Sequence, residues 1–269
     1  MLFFVFTAPI RAPAMTRLAV ERQLLVMNCF AHTAQLLLGD ILSHWSGVVG
    51  KAETLEAFFR RGYPREVYLA ELVKVDGTLL VAPGQTRWGS RVDTLQSVVK
   101  NNTVIDHALG KLRREKFRSA DFDSLGWVWV NQHWDDMDQI LMRLITLRRF
   151  IDVVQSDDCT LGKAVHGYLE LRGELEQWIE DLPNSLTTDL RRVFLSRDAM
   201  FLKPHACASY FLDARYRADL LALPKVCETV QYLIETAWPL FGEGTPPVRD
   251  GYPHWGGAGL KRYRCFIAP

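Results

Sequence analysis

The sequence predicts a mainly α-helical protein, with a small α/β portion first and a long stretch of helices after it. Two observations carry that expectation. Apolar residues recur at helical spacing from Ala34 almost to Trp238. Apolar runs short enough for strands fall only in the early part of the chain, and Leu24-Leu25-Val26-Met27 is the clearest.

The elements follow in order. Residues 1–23 carry Pro9 and Pro13 without a clear period and read as a poorly ordered leader. The apolar run at 24–27 suits a buried strand ending near Asn28, which puts Cys29 at a strand C-terminus, where α/β proteins place their sites. Ala34, Leu37, Leu38, Ile41, Leu42 and Trp45 form one helical stripe, with Gly47 as its stop. Val48, Ala52, Leu55, Phe58 and Phe59 form a second, ended by Gly62-Tyr63-Pro64. Residues 65–75 suit a third helix, and Asp76-Gly77 a turn. Leu79-Leu80-Val81 is short and apolar. Pro83-Gly84 before and Gly89 after keep residues 85–88 off any regular element.

Ser90 is placed to cap a helix carrying Val92, Leu95, Val98 and Val99. Asp135, Asp136 and Asp138 load the start of a helix that runs through Ile151. Asp158-Cys159-Thr160 opens another, which ends at Leu182-Pro183-Asn184. Residues 186–201 and 226–238 complete the helices. The tail from Gly242 shows no core pattern.

Composition bounds the function. The chain has 269 residues, 48% hydrophobic and 23% charged, enough for one or two globular domains. A net charge of +1 gives no global basic field, so any nucleic-acid surface is a local patch. Five scattered cysteines argue against a disulfide scaffold and suit a reducing compartment. The apolar run at 2–6 lacks a preceding basic stretch and is far shorter than the ~20 residues of a membrane span. No membrane partner is expected. A nuclear or cytoplasmic protein is, with secretion through that leader as the alternative.

Four constellations carry chemistry. Cys29-x-x-His32 is either half of a zinc site or a buried cysteine beside a histidine at a helix start. Its one possible partner pair, His205-Ala206-Cys207, has an unusual ligand spacing. Thr86-Arg87-Trp88 either offers DNA a guanidinium and a stacking indole, or packs Trp88 on the core with Arg87 reaching out to solvent. Lys111, Arg113, Arg114, Lys116 and Arg118, with Arg143, Arg148 and Arg149 further on, either follow a phosphate backbone or form solvated helix faces. Asp135, Asp136 and Asp138 are the densest acidic group, and their position suits a helix start better than a metal. No Ser-His-Asp order, P-loop or GxGxxG is present, and no active site assembles from these residues.

The blocks occur in an order that resembles the transposases of the hAT superfamily, most closely the variants abundant in oomycete genomes. Cys29-Phe-Ala-His32 opening an amphipathic helix is similar to that family's Cys-x-x-His. Thr86-Arg87-Trp88-Gly89-Ser90 is similar to its Thr-Arg-Trp loop. Trp134 to Leu175 is similar in character to the helical insertion that interrupts its catalytic fold. Ala208 to Tyr216 is similar to its Ala-x-x-Leu-Asp-Pro-Arg-Tyr block, with Ala214 for the usual proline.

The resemblance implies the C-terminal fragment of an RNase H-like α/β fold with a large α-helical insertion. The implied division is a leader at 1–23, a partial RNase H-like region at 24–102, a helical insertion region at 103–240 and a loose tail at 241–269. It implies DNA contact through Cys29, His32, Arg87 and Trp88. The family binds magnesium or manganese on three carboxylates, but none of the 28 residues before Cys29 is an aspartate. The tail shows no match to the family's glutamate block. No catalytic residue, metal ligand or cofactor is therefore expected, and the chain is expected to be a catalytically inactive transposase remnant. A helical interaction or self-association module without a DNA role is the alternative.

Overall fold

The computed structural model describes residues 5–7, 26–75, 77–84, 88–216, 220–237, 248–249 and 252–253, and among these the protein is mainly α-helical. Two short strands come first. β1 (Val5–Thr7) and β2 (Val26–Asn28) pair in parallel, with Val5 opposite Val26 and Thr7 opposite Asn28. The leader thus contributes a strand where no regular element was expected. Its β-branched and aromatic residues favour extended backbone.

The helices are α1 (Phe30–His44), α2 (Ser46–Phe59), α3 (Gly62–Lys74), α4 (Trp88–Lys100) and α5 (Asn102–Arg114), then the short α6 (Ala120–Ser124). A 3-10 turn at Leu125–Trp129 leads into α7 (Asn131–Gln155). There follow α8 (Leu161–Glu180), α9 (Asn184–Phe201), α10 (Pro204–Leu212) and α11 (Leu223–Tyr232). In the tail, β3 (Val248–Arg249) pairs antiparallel with β4 (Tyr252–Pro253), and its other residues lie outside the described ones. No helix among the described residues is long and apolar enough to cross a membrane.

The chain divides into two compact units that interleave along the sequence. The first comprises Met1–Thr33, Val153–Asp181 and Phe194–Pro269; the second comprises Ala34–Asp152 and Leu182–Val193. Residues 102 and 103, the expected start of a helical insertion, lie inside the second unit.

In the second unit α2 packs on α4, and α3 packs on α5. The predicted stripes supply Leu37, Leu38, Leu42, Leu55 and Leu95 to its core, and α5 adds Ile105, Leu109 and Leu112, which no predicted stripe included; all are fully buried. Burying one such leucine contributes roughly 1.5–3 kcal/mol. In the first unit α10 packs on both α8 and α11. Its aromatic centre stacks Tyr168 on Phe201 with ring centroids 4.0 Å apart, and Phe30 meets Phe201 edge-on at 5.2 Å. The buried Tyr168 hydroxyl donates to Asp198 at 2.8 Å. Burial first, then the Asp198 charge, holds that phenol above its ordinary range.

Several boundaries differ from the sequence expectations. Gly47 does not stop α1. The helix ends at His44 because Trp45 leaves helical geometry (φ −116°), while its carbonyl already accepts the amides of Val48 and Val49 at 3.0 Å. That shift makes Val49 the core residue and leaves Val48 half-buried. α3 starts at Gly62, whose φ of +63° suits glycine, and it takes Pro64 into its first turn, where no amide is needed. α7 starts at Asn131, so Asp135, Asp136 and Asp138 fall beyond its first turn, which holds no acidic residue. Trp134 sets that start by donating its indole N–H to the Val128 carbonyl at 3.0 Å.

Candidate functional site

Cys29 immediately precedes α1, and its thiol is free and half-buried. Its carbonyl accepts both the amide of Thr33 at 2.9 Å and the Thr33 hydroxyl at 3.1 Å, which fixes the first turn of the helix. His32 lies within that turn and is half-buried. Phe30, between them, anchors the turn in the first unit through its contact with Phe201. Helical geometry therefore brings Cys29 and His32 together.

No group of three His, Cys, Asp or Glu side chains that could hold a metal occurs among the described residues. Cys207, in the one pair offered by sequence as a complement, is fully buried in α10, and burial raises its thiol to about 11. It is a core residue, held protonated by the cost of charging a buried thiol. Burial likewise lowers His205.

Arg87 and the preceding Gln85 and Thr86 lie outside the described residues, as does the side chain of Trp88. The backbone of Trp88 begins α4, which corrects the expectation of an irregular segment through 88. The expected cap also differs. Ser90 sits inside α4, where its Oγ accepts the Gly84 amide at 2.7 Å and donates to the Gly84 carbonyl at 3.3 Å. These bonds staple the two ends of the Thr-Arg-Trp loop together. A hydroxyl already engaged across the loop is not needed as a helix cap.

The start of α4 is fixed from two further sides. The Gly89 amide donates to Gln35 Oε1 at 3.3 Å, and Gln35 stands three residues beyond His32 on α1. Arg148 of α7 lies against Gly89, where an added Cβ would meet Arg148 Cδ and Nε at 3.1 Å. The guanidinium is held by Asp93 at 3.0 Å and by Asp152. Arg148 thus leaves little room for a side chain at residue 89. Arg148 thereby leaves the set of cations open to a phosphate backbone, whereas Arg143 and Arg149 are exposed.

The Leu-Asp-Ala-Arg-Tyr block has a structural role that the sequence did not reveal. Asp213, just after α10, takes a fork from Arg215 at 2.9 and 2.6 Å, and it also accepts the Arg215 amide at 3.1 Å. Arg215 reaches on to the Thr160 hydroxyl at 2.8 Å. Thr160 also accepts the Lys163 amide as the N-cap of α8. Tyr216 stacks on His166 of α8 at 4.4 Å. The block ties the end of α10 to the start of α8. The paired guanidinium holds the Asp213 carboxyl below the usual carboxylate range. Neither the Asp-x-Arg spacing nor the composition signals these partners. A glycine two residues after the Thr160 cap is the sole local hint of a close approach.

Comparison with protein-family models, with curated proteins and with solved structures finds no match for this chain.

Proposed function

We propose that the protein contacts DNA in the manner of a hAT-type transposase of RNase H-like ancestry, through the Cys29–His32 turn and the Arg87-Trp88 loop, without cleaving strands. The observation that carries this reading is the Gly89–Gln35 hydrogen bond. It supports this reading because Gly89, the residue after Trp88, bonds Gln35, three residues past His32 in the sequence of α1. More than 50 residues separate Gln35 from Gly89, and local pattern gives no reason for the two to meet.

The test is binding of a DNA hairpin and of a single strand by the full chain. Trp88→Ala is expected to weaken binding by about 1–3 kcal/mol through lost stacking. Arg87→Ala is expected to reduce its salt dependence. Supercoiled DNA with magnesium or manganese is expected to stay intact. Unchanged binding in both variants removes the DNA reading.

A second reading, self-association through helices, is supported by Val73 (84% exposed) and Leu79 (63%), which present apolar surface at the end of α3 and just after it. Sedimentation of the wild type and of Val73→Asp with Leu79→Asp separates the two. A dimer dissolved by those substitutions, with no DNA binding, favours the second.

A further inference from the structure

The end of α5 carries a cationic turn that neither motif absorbs. Residues 111–118 contain five cations, Lys111, Arg113, Arg114, Lys116 and Arg118, against one carboxylate, Glu115, in a protein of net charge +1. Glu115 accepts the Tyr63 hydroxyl at 2.5 Å. Arg113, Arg114 and Lys116 are exposed, and no carboxylate pairs with them among the described residues. Arg118 comes within 3.9 Å of Asp123, both well exposed.

The turn is rigid. The Lys116 amide bonds the Arg113 carbonyl at 3.1 Å, and the Phe117 amide bonds the Leu112 carbonyl at 3.0 Å. This is the two-bond cap that closes a helix on a left-handed residue. That residue is normally glycine, yet here Lys116 holds a φ of +58°. Phe117 is anchored beneath by Phe122 at 5.7 Å and by Phe58 at 6.4 Å. Arg113 lies over the Trp129 indole, 5.7 Å from its centroid, and Trp129 is 42% exposed. The helix dipole accounts for cations in the last turn. It does not account for a lysine at a position where glycine is less strained, nor for a guanidinium resting on an exposed indole.

We propose that residues 111–118 with Trp129 form a binding site for single-stranded nucleic acid. Arg113, Arg114 and Lys116 take successive phosphates, and Trp129 offers a base a stacking face. Single strands are recognised by this pairing of a charged track with an exposed aromatic ring. An acidic peptide would use the charges but would leave the indole idle. The site does not depend on Arg87 or Trp88, and it stands or falls apart from them.

The test uses the full chain and a fluorescein-labelled oligothymidylate of about 20 nucleotides, followed by anisotropy between about 50 and 200 mM salt. Combined Arg113→Ala, Arg114→Ala and Lys116→Gly substitution is expected to flatten the salt slope by about 2. Trp129→Ala is expected to weaken binding by about tenfold, with Trp129→Phe restoring most of it. Lys116→Gly alone separates a structural role from a binding one, since it is expected to raise the urea midpoint while weakening binding. Unchanged binding in these variants, while Trp88→Ala abolishes it, overturns this site and leaves the proposed function standing. Loss here with Trp88→Ala silent does the reverse. Equal competition by polyglutamate, or preference for a duplex with Trp129→Ala silent, also overturns it.

Discussion

Gly162→Ala tests the lock between α8 and α10 most sharply. A Cβ at residue 162 would stand 2.5 Å from Asp213 Oδ2, 3.1 Å from its Cβ and 3.2 Å from its Cγ. The carboxylate cannot swing aside freely, because Arg215 holds it by two side-chain bonds and one amide bond. Overpacking of this kind costs about 1–3 kcal/mol. Alanine returns at most about 0.5–1 kcal/mol over glycine in a helix, and less in a first turn. The net expectation is a loss of about 1–2 kcal/mol. Followed by circular dichroism in urea, that loss shifts the midpoint down by roughly 0.5 M, for a slope near the top of the usual range of about 1–3 kcal/mol/M. Repeating the substitution in an Asp213→Ala background removes the carboxylate oxygens and leaves only the 3.1 Å contact to Cβ. There the cost falls close to zero, and the cycle exposes a coupling of about 1 kcal/mol. An alanine at 162 that stabilises the otherwise unchanged protein would refute the reasoning, for it would mean that Asp213 yields without loss.

Two further expectations concern the same supports. Because Arg215 lowers the Asp213 pKa in the folded protein, the pair stabilises fully above the unfolded value of about 3.9, and that contribution is lost as pH falls through the folded value. Asp213→Asn should therefore lower stability at pH 7 and flatten its decline below about pH 4; a decline as steep as before would assign the acid sensitivity elsewhere. At the start of α4, Arg148→Ala should cost about 1–2 kcal/mol, since it leaves Asp93 without that partner and opens the space beside Gly89. Gly89→Ala should be the milder change at about 0.5–1 kcal/mol, because a 3.1 Å contact asks Arg148 to give by only a few tenths of an ångström. Thermal melts of the two single variants check the order, and a costlier Gly89→Ala would contradict it.

What the sequence determined by itself was the class of the fold and the apolar faces of its helices. The stripe from Ala34 to Leu42 is buried as expected, and so are Val92, Leu95 and Val98. α8 begins just after Asp158-Cys159-Thr160, where the local pattern opened a helix. Periodicity and capping are short-range properties, written within a turn or two of each residue. Tertiary structure alone decided where α1 breaks, which end of the loop Ser90 serves, and why glycine stands at 89 and 162. It also decided that Arg148 is spent on Asp93 and Asp152, whereas Lys116 keeps an exposed charge on a strained backbone. Partners such as Gly89 with Gln35, or Arg215 with Thr160, lie more than 50 residues apart. Such pairs are selected by how the helices pack, and packing depends on the shapes of whole elements, which no local window of sequence contains.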